Sequence, residues 1–144
     1  MTTCYNSRDM AAYLAQKCIE QNVVYNNTKI QKLLYCAYGI YLAKGFWRIC
    51  DEYPRAWDYG PVFPKVFKYI YSGNEIAHYS NIVMQIEKSE SQIIKVIDLT
   101  IDTFGKYRAN QLSAWTHRPG SPWDKTVHGD ASNEGAGLYG FIPD

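Results

Sequence analysis

The chain has little that points to chemistry. Histidine is scarce, three in 144 residues, and Cys4, Cys18, Cys36 and Cys50 are spread widely with no C-x-x-C pair. That spacing argues against a zinc site and supplies no disulfide framework. Charge nearly cancels: 15 Lys and Arg against 14 Asp and Glu leave +1 at pH 7, so no bulk attraction toward nucleic acid or a membrane surface is built in. No uncharged apolar run approaches the ~20 residues of a membrane span. Residues 1–9 lack the basic and apolar regions of a secretory leader. The expected setting is a reducing cytoplasm with four free thiols. Ser113, Ser121 and Cys36 are nominal nucleophiles, but none sits in an activating turn such as G-x-S-x-G. Asp98 and Asp102 share an i, i+4 spacing without a histidine on the same helix, which reads as a solvated face rather than a metal site. No enzyme, metal or cofactor is expected.

What is abundant is aromatic: thirteen Tyr, five Phe and four Trp. Tyr and Trp join a large apolar body to a polar tip, which suits core edges and protein interfaces alike. With 47% hydrophobic and 20% charged residues the chain is globular. Its length suits one domain that buries roughly 70% of the unfolded chain's surface. No internal repeat, low-complexity tract or linker divides it.

Periodicity predicts a mainly α domain of about five helices with a minor β or extended element. The first helix runs over about 7–22 from Ser7 as N-cap, with Met10, Leu14 and Cys18 on one stripe. A second, capped from Asn26, Asn27 or Thr28, reaches about Lys44 and is stopped by Gly45. In the stretch 56–70, an extended aromatic segment meets Gly60-Pro61, and Pro61 and Pro64 both fit the first turn of a third helix. Val62, Val66 and Ile70 form one apolar stripe there, and Phe63, Phe67 and Tyr71 another; two stripes need two partners, or one partner and a ligand. Weak alternation of Ile82, Met84 and Ile86 suggests a strand over 75–87. Ser89-Glu90-Ser91-Gln92 fits a capping box opening a fourth helix to Phe104, and a short fifth covers about 109–116.

Three segments in order carry a family resemblance: Lys29-Ile30-Gln31-Lys32-Leu33-Leu34-Tyr35-Cys36-Ala37-Tyr38-Gly39, then Ala56 to Val62, then Leu112-Ser113-Ala114-Trp115-Thr116-His117 leading to Ser121-Pro122-Trp123. Together they resemble the Panacea domain of SocA-like antitoxins, met also in phage-associated GepA-like proteins. The likeness runs from about residue 10 to about 125. It implies a mainly helical, non-enzymatic domain over 1–144 that binds and neutralises a cognate toxin protein. A second family behaviour is adaptor action, presenting the toxin to an ATP-dependent protease. Family members usually continue into a last short helix, whereas this sequence stops at Ile142-Pro143-Asp144; either this member lacks it or the sequence is trimmed.

The candidate partner-binding residues are Tyr35, Tyr38, Trp57, Tyr59, Pro61, Val62, His117, Pro122 and Trp123, expected to meet around one groove. Each has a plainer reading beside it. Tyr35 and Tyr38 also fit a wide core stripe, Trp57 and Tyr59 also fit packing that locks the Gly-Pro corner, and His117 at a helix C-terminus is accounted for by the helix dipole. Lys29, Lys32, Lys65 and Lys68 lie near aromatics, the look of a single-strand binder. With so few lysines they read better as solvated helix faces, so a phage-associated regulator that binds nucleic acid is the alternative function. A thiol assay on denatured, unreduced protein should count four free thiols; a smaller count contradicts the reducing setting.

Overall fold

The structure is a computed structural model that describes residues 5–57, 60–74 and 81–122. Its described residues form six helices and one two-stranded sheet: α1 (Ser7–Glu20), α2 (Asn27–Ala43), β1 (Arg55–Trp57), β2 (Gly60–Val62), α3 (Pro64–Tyr71), α4 (Asn81–Ser89), α5 (Ser91–Phe104) and α6 (Ala109–Thr116). The fold is mainly α with a small β element, as the periodicity predicts.

Local chemistry sets most helix ends. Asn26 Oδ1 accepts the Lys29 N–H at 2.8 Å and so caps α2. At its other end Gly45 N–H bonds to Leu42 O and Phe46 N–H to Tyr41 O, with Gly45 at φ +88°, the paired reversal that satisfies final carbonyls. Asn22, at φ 57°, ends α1 by the same pair of bonds. At the start of α1 the cap is Asn6, not Ser7. Ser7 is the first helical residue; its N–H donates to Asp51 Oδ1 at 3.0 Å and its hydroxyl to Glu52. Glu52 also accepts the Lys65 N–H at 3.1 Å, so two neighbouring carboxylates serve the open starts of α1 and α3.

Three expectations are corrected. Residues 81–89 are helix α4, not strand. Ile86 is buried while Met84 is 42% exposed; 82, 83 and 86 also satisfy helical spacing, and α4 packs on α1 and α5. The minor β element lies instead at 55–62, an antiparallel pair with Arg55 opposite Val62, Ala56 opposite Pro61 and Trp57 opposite Gly60. Pro61 therefore belongs to a strand, and only Pro64 occupies the first turn of α3; a two-stranded ribbon tolerates proline at its edge. The capping box before α5 does not form: Glu90 stands at the N-cap without a side-chain cap bond. Its carboxylate accepts the Tyr5 hydroxyl at 2.5 Å instead.

Helix α2 is the axis of the domain, touching α1, α5, α6 and the hairpin. Its Ile30, Leu33, Leu34, Ala37 and Tyr41 bury against Met10, Leu14 and Cys18 of α1 and Ile93, Ile97 and Ile101 of α5 in one core. Cys18, Cys36 and Cys50 are free and buried, whereas Cys4 lies outside the described residues.

Gly60 is the tightest point of the hairpin. It sits at φ +112°, and a Cβ there would lie 2.8 Å from both Lys32 Cε and Thr116 Oγ1. Gly60→Val should lower unfolding stability by ~1–3 kcal/mol through backbone strain alone, with the clash adding to it. Equilibrium urea unfolding checks this; a variant as stable as the parent would show that the corner is not constrained.

Candidate functional site: the junction of α2, the hairpin and α6

Two consecutive side chains of α2 reach the hairpin backbone. Gln31 accepts the Phe63 N–H on Oε1 at 2.8 Å and donates from Nε2 to Phe63 O at 3.3 Å. Its side-chain amide thus pairs with the main chain as a neighbouring strand would. Lys32 Nζ donates to Pro61 O at 2.9 Å. From the third side, Thr116 of α6 brings its hydroxyl against Gly60 while donating to Ser113 O at 2.7 Å. Ser121 closes the turn after α6 by donating to Thr116 O at 2.7 Å. The three segments that carry the resemblance therefore meet at one point.

Lys29 and Lys32, expected on solvated faces, are 7% and 1% exposed. Burying an ammonium is costly unless its donors find acceptors, and carbonyls do that work here. Lys29 donates to Val24 O at 2.9 Å and to Gly105 O at 2.6 Å, tying the α1–α2 connection to the end of α5. Burial presses the Lys32 ammonium down to about 8, opposed by the neighbouring Cys36 thiol. Lys65 and Lys68 are exposed as expected.

The candidate residues distribute over two hollows on either side of this junction. The first, of about 340 Å³, is lined by Tyr35, Tyr38 and Pro122 together with Gly39, Leu42, Phe104, Trp115 and Arg118. The second, of about 320 Å³, is lined by Trp57 and Val62 with Gln31, Lys32, Phe67 and Tyr71. Tyr38 is 3% exposed and its ring packs on Phe63 at 5.7 Å, so most of it is core. Tyr35 is half-buried. Trp57 meets Phe67 edge-on at 4.9 Å, and Phe67 stacks on Tyr71 at 5.7 Å. Of the two stripes on α3, the one with Val66 faces the core while Phe67 and Tyr71 are exposed. Pro61 is buried in β2. His117 caps the end of α6 with Nδ1 2.6 Å from Ser113 O. Tyr59 and Trp123 lie outside the described residues.

The first hollow contains groups that sequence spacing does not single out. Arg118 lies 4.0 Å above the Trp115 ring and donates from Nη1 to Trp115 O at 2.9 Å; Phe104 packs on the same indole at 5.2 Å. Trp115 lies in the segment 112–117, but nothing in its spacing marks it as 40% exposed. Two of the three nominal nucleophiles are held in unreactive settings: burial pushes the Cys36 thiol up to about 12, and the Ser121 hydroxyl donates to a carbonyl. No group of three or more metal-ligating side chains occurs among the described residues.

These features define a small, mainly helical domain with a buried polar junction between two aromatic hollows. Residues 30–124 match the family described as antitoxin SocA-like, Panacea domain. Antitoxin SocA of Caulobacter vibrioides (strain NA1000 / CB15N) is 30% identical over 144 aligned residues, spanning 92% of this chain and 76% of that protein. No solved structure matches. The chain belongs to the SocA-like, Panacea-domain antitoxin family.

Lys32 makes the junction pH-dependent with a definite sign. Its folded value is depressed, so its contribution to stability is present above the ordinary 10.5 and is lost as pH falls through about 8. Buried thiols and tyrosines titrate in the opposite sense, but they cancel when the parent is compared with Lys32→Met. The parent should gain ~1–3 kcal/mol on that variant between about pH 7 and about pH 10. Paired urea unfolding curves measure it, and a constant difference contradicts a depressed ammonium.

Proposed function

We propose that this chain is an antitoxin that binds a cognate protein toxin and holds it inactive, without catalysis, through the aromatic hollow between α2, α5 and α6. The observation that carries the reading is an apolar recess with Trp115 exposed at its edge and Tyr35 half-buried in its wall. Desolvated Trp, Tyr and Arg supply most of the affinity of protein interfaces, and membership of an antitoxin family supports a toxin as the partner. The burial of Lys29 and Lys32 speaks against the nucleic-acid alternative, because it withdraws two cations from an already nearly neutral surface.

The test is co-expression with the protein encoded by the adjacent reading frame. Growth arrest by that protein should be relieved by the parent chain. Trp115→Ala should weaken the complex by ~2–4 kcal/mol and lose relief at an almost unchanged melting temperature. Tyr38→Ala should instead cost ~3–5 kcal/mol of folding stability, with relief falling only in step. Relief that survives Trp115→Ala places the interface elsewhere. The toxin's steady-state level separates the modes: it stays constant under sequestration and falls if the chain delivers the toxin to an ATP-dependent protease.

A further inference from the structure

We propose that the hollow above Gly39 receives a segment of the partner protein that inserts one apolar side chain and sets a carboxylate beside it against Arg118. The inference rests on the toxin-binding reading and adds the chemistry of the bound segment.

Two independent observations carry it. Gly39 lies inside α2, where glycine costs a helix stability relative to alanine. Inside a helix such a residue is explained when another element packs too closely for a Cβ. Here a Cβ would meet nothing within 4 Å, and the position faces the hollow. Among the described residues nothing fills that room, so the helix backbone is open to approach there. A recess of about 340 Å³ walled by Tyr35, Leu42, Phe104 and Trp115 is of a size to take an apolar anchor.

The second observation is charge. Among the described residues Arg118 is the one charged side chain lining this hollow, and none of their Asp or Glu side chains lines it. Its guanidinium rests on Trp115 and spends a donor on Trp115 O. The ion pairs among the described residues belong to Lys17 and Lys65, and no carboxylate among those residues pairs with Arg118. A guanidinium has five N–H donors in a planar fork that matches a carboxylate. Held 4.0 Å from an indole centroid at the lip of an apolar recess, it is pre-organised for an acidic group that arrives with an apolar neighbour.

The probe is indole-3-propionate, compared with its uncharged amide indole-3-propanamide, titrated into the full chain and followed by amide NMR shifts. Both should perturb Gly39, Leu42 and Trp115, with the acid binding ~5-fold or more tightly, as a charge-assisted bond predicts. Arg118→Gln should bring the two affinities together. Gly39→Leu should abolish binding of both while the melting temperature stays level or rises, because leucine is the better helix former. Equal affinity of acid and amide for the parent, no binding to the parent, or unchanged binding to Gly39→Leu would each overturn the proposal. So would a concentration-dependent dimer that Gly39→Leu dissociates, since a second copy would then fill the hollow. No toxin is present in this assay. Its failure removes the chemistry assigned to Arg118 and Gly39, whereas failure of the parent to relieve growth arrest removes the toxin reading.

Discussion

The side-chain amide of Gln31, paired with both backbone groups of Phe63, is the contact on which the arrangement of this domain depends. A helix and a short hairpin have no shared hydrogen-bond ladder, so apolar packing alone would let one slide over the other. A side chain that donates to and accepts from one residue's main chain fixes the register to a single value. Lys32, one residue on, adds a second fixed point at Pro61. Because both side chains are buried, neither has water as an alternative partner; losing Gln31 leaves the Phe63 main-chain groups unsatisfied, and losing Lys32 the Pro61 carbonyl, each at a cost of ~1–3 kcal/mol.

That constraint explains why three segments far apart in sequence have the composition they do. Gly60 must be glycine because the lysine stem and the Thr116 hydroxyl already fill the space of a Cβ. Phe63, held by Gln31, leads directly into Pro64 and so sets where α3 begins. Thr116 ends α6 against the same corner, and the turn after it carries Arg118 and Pro122 to the lip of the first hollow. The polar junction is thus a structural core, and the two hollows lie to either side of it. A buried amide and a buried ammonium contribute specificity of arrangement more than net stability.

Much of the helical frame is legible in the sequence because its signals are local. Asn26 and Gly45 bracket α2, and the Ile30–Leu33–Ala37 stripe names its buried face, because capping and periodicity act within a few residues. Residues 81–89 mislead because three alternating apolar positions are too few to separate a period of 2 from 3.6, and packing against α1 and α5 decides. Pro61 misleads because a proline before a helix looks alike whether it opens the helix or ends a strand. Lys29 and Lys32 are the clearest limit: their burial depends on carbonyls of Val24, Gly105 and Pro61, up to 76 residues away, which no window on the helix can show. The same holds for the hollows. Tyr35 and Tyr38 are neighbours on one helix, yet Phe63 takes one ring into the core and leaves the other half-exposed. Gly39 stands in the sequence only as the end of a motif, and nothing there marks Arg118; their place at the hollow shows only when α5 and α6 are set around them.

Amide hydrogen exchange on Gln31→Leu, compared with the parent, tests the central role of this grip most directly. In the parent the Phe63 amide should exchange slowly, through opening of the junction. In the variant, exchange should quicken at Phe63 and together with it at His117 and Ser121, the residues that close α6 and its turn, while Leu33 and Leu34 in α2 stay protected. Acceleration confined to Phe63 would contradict the account, because it would mean that the hairpin and α6 are positioned independently of Gln31.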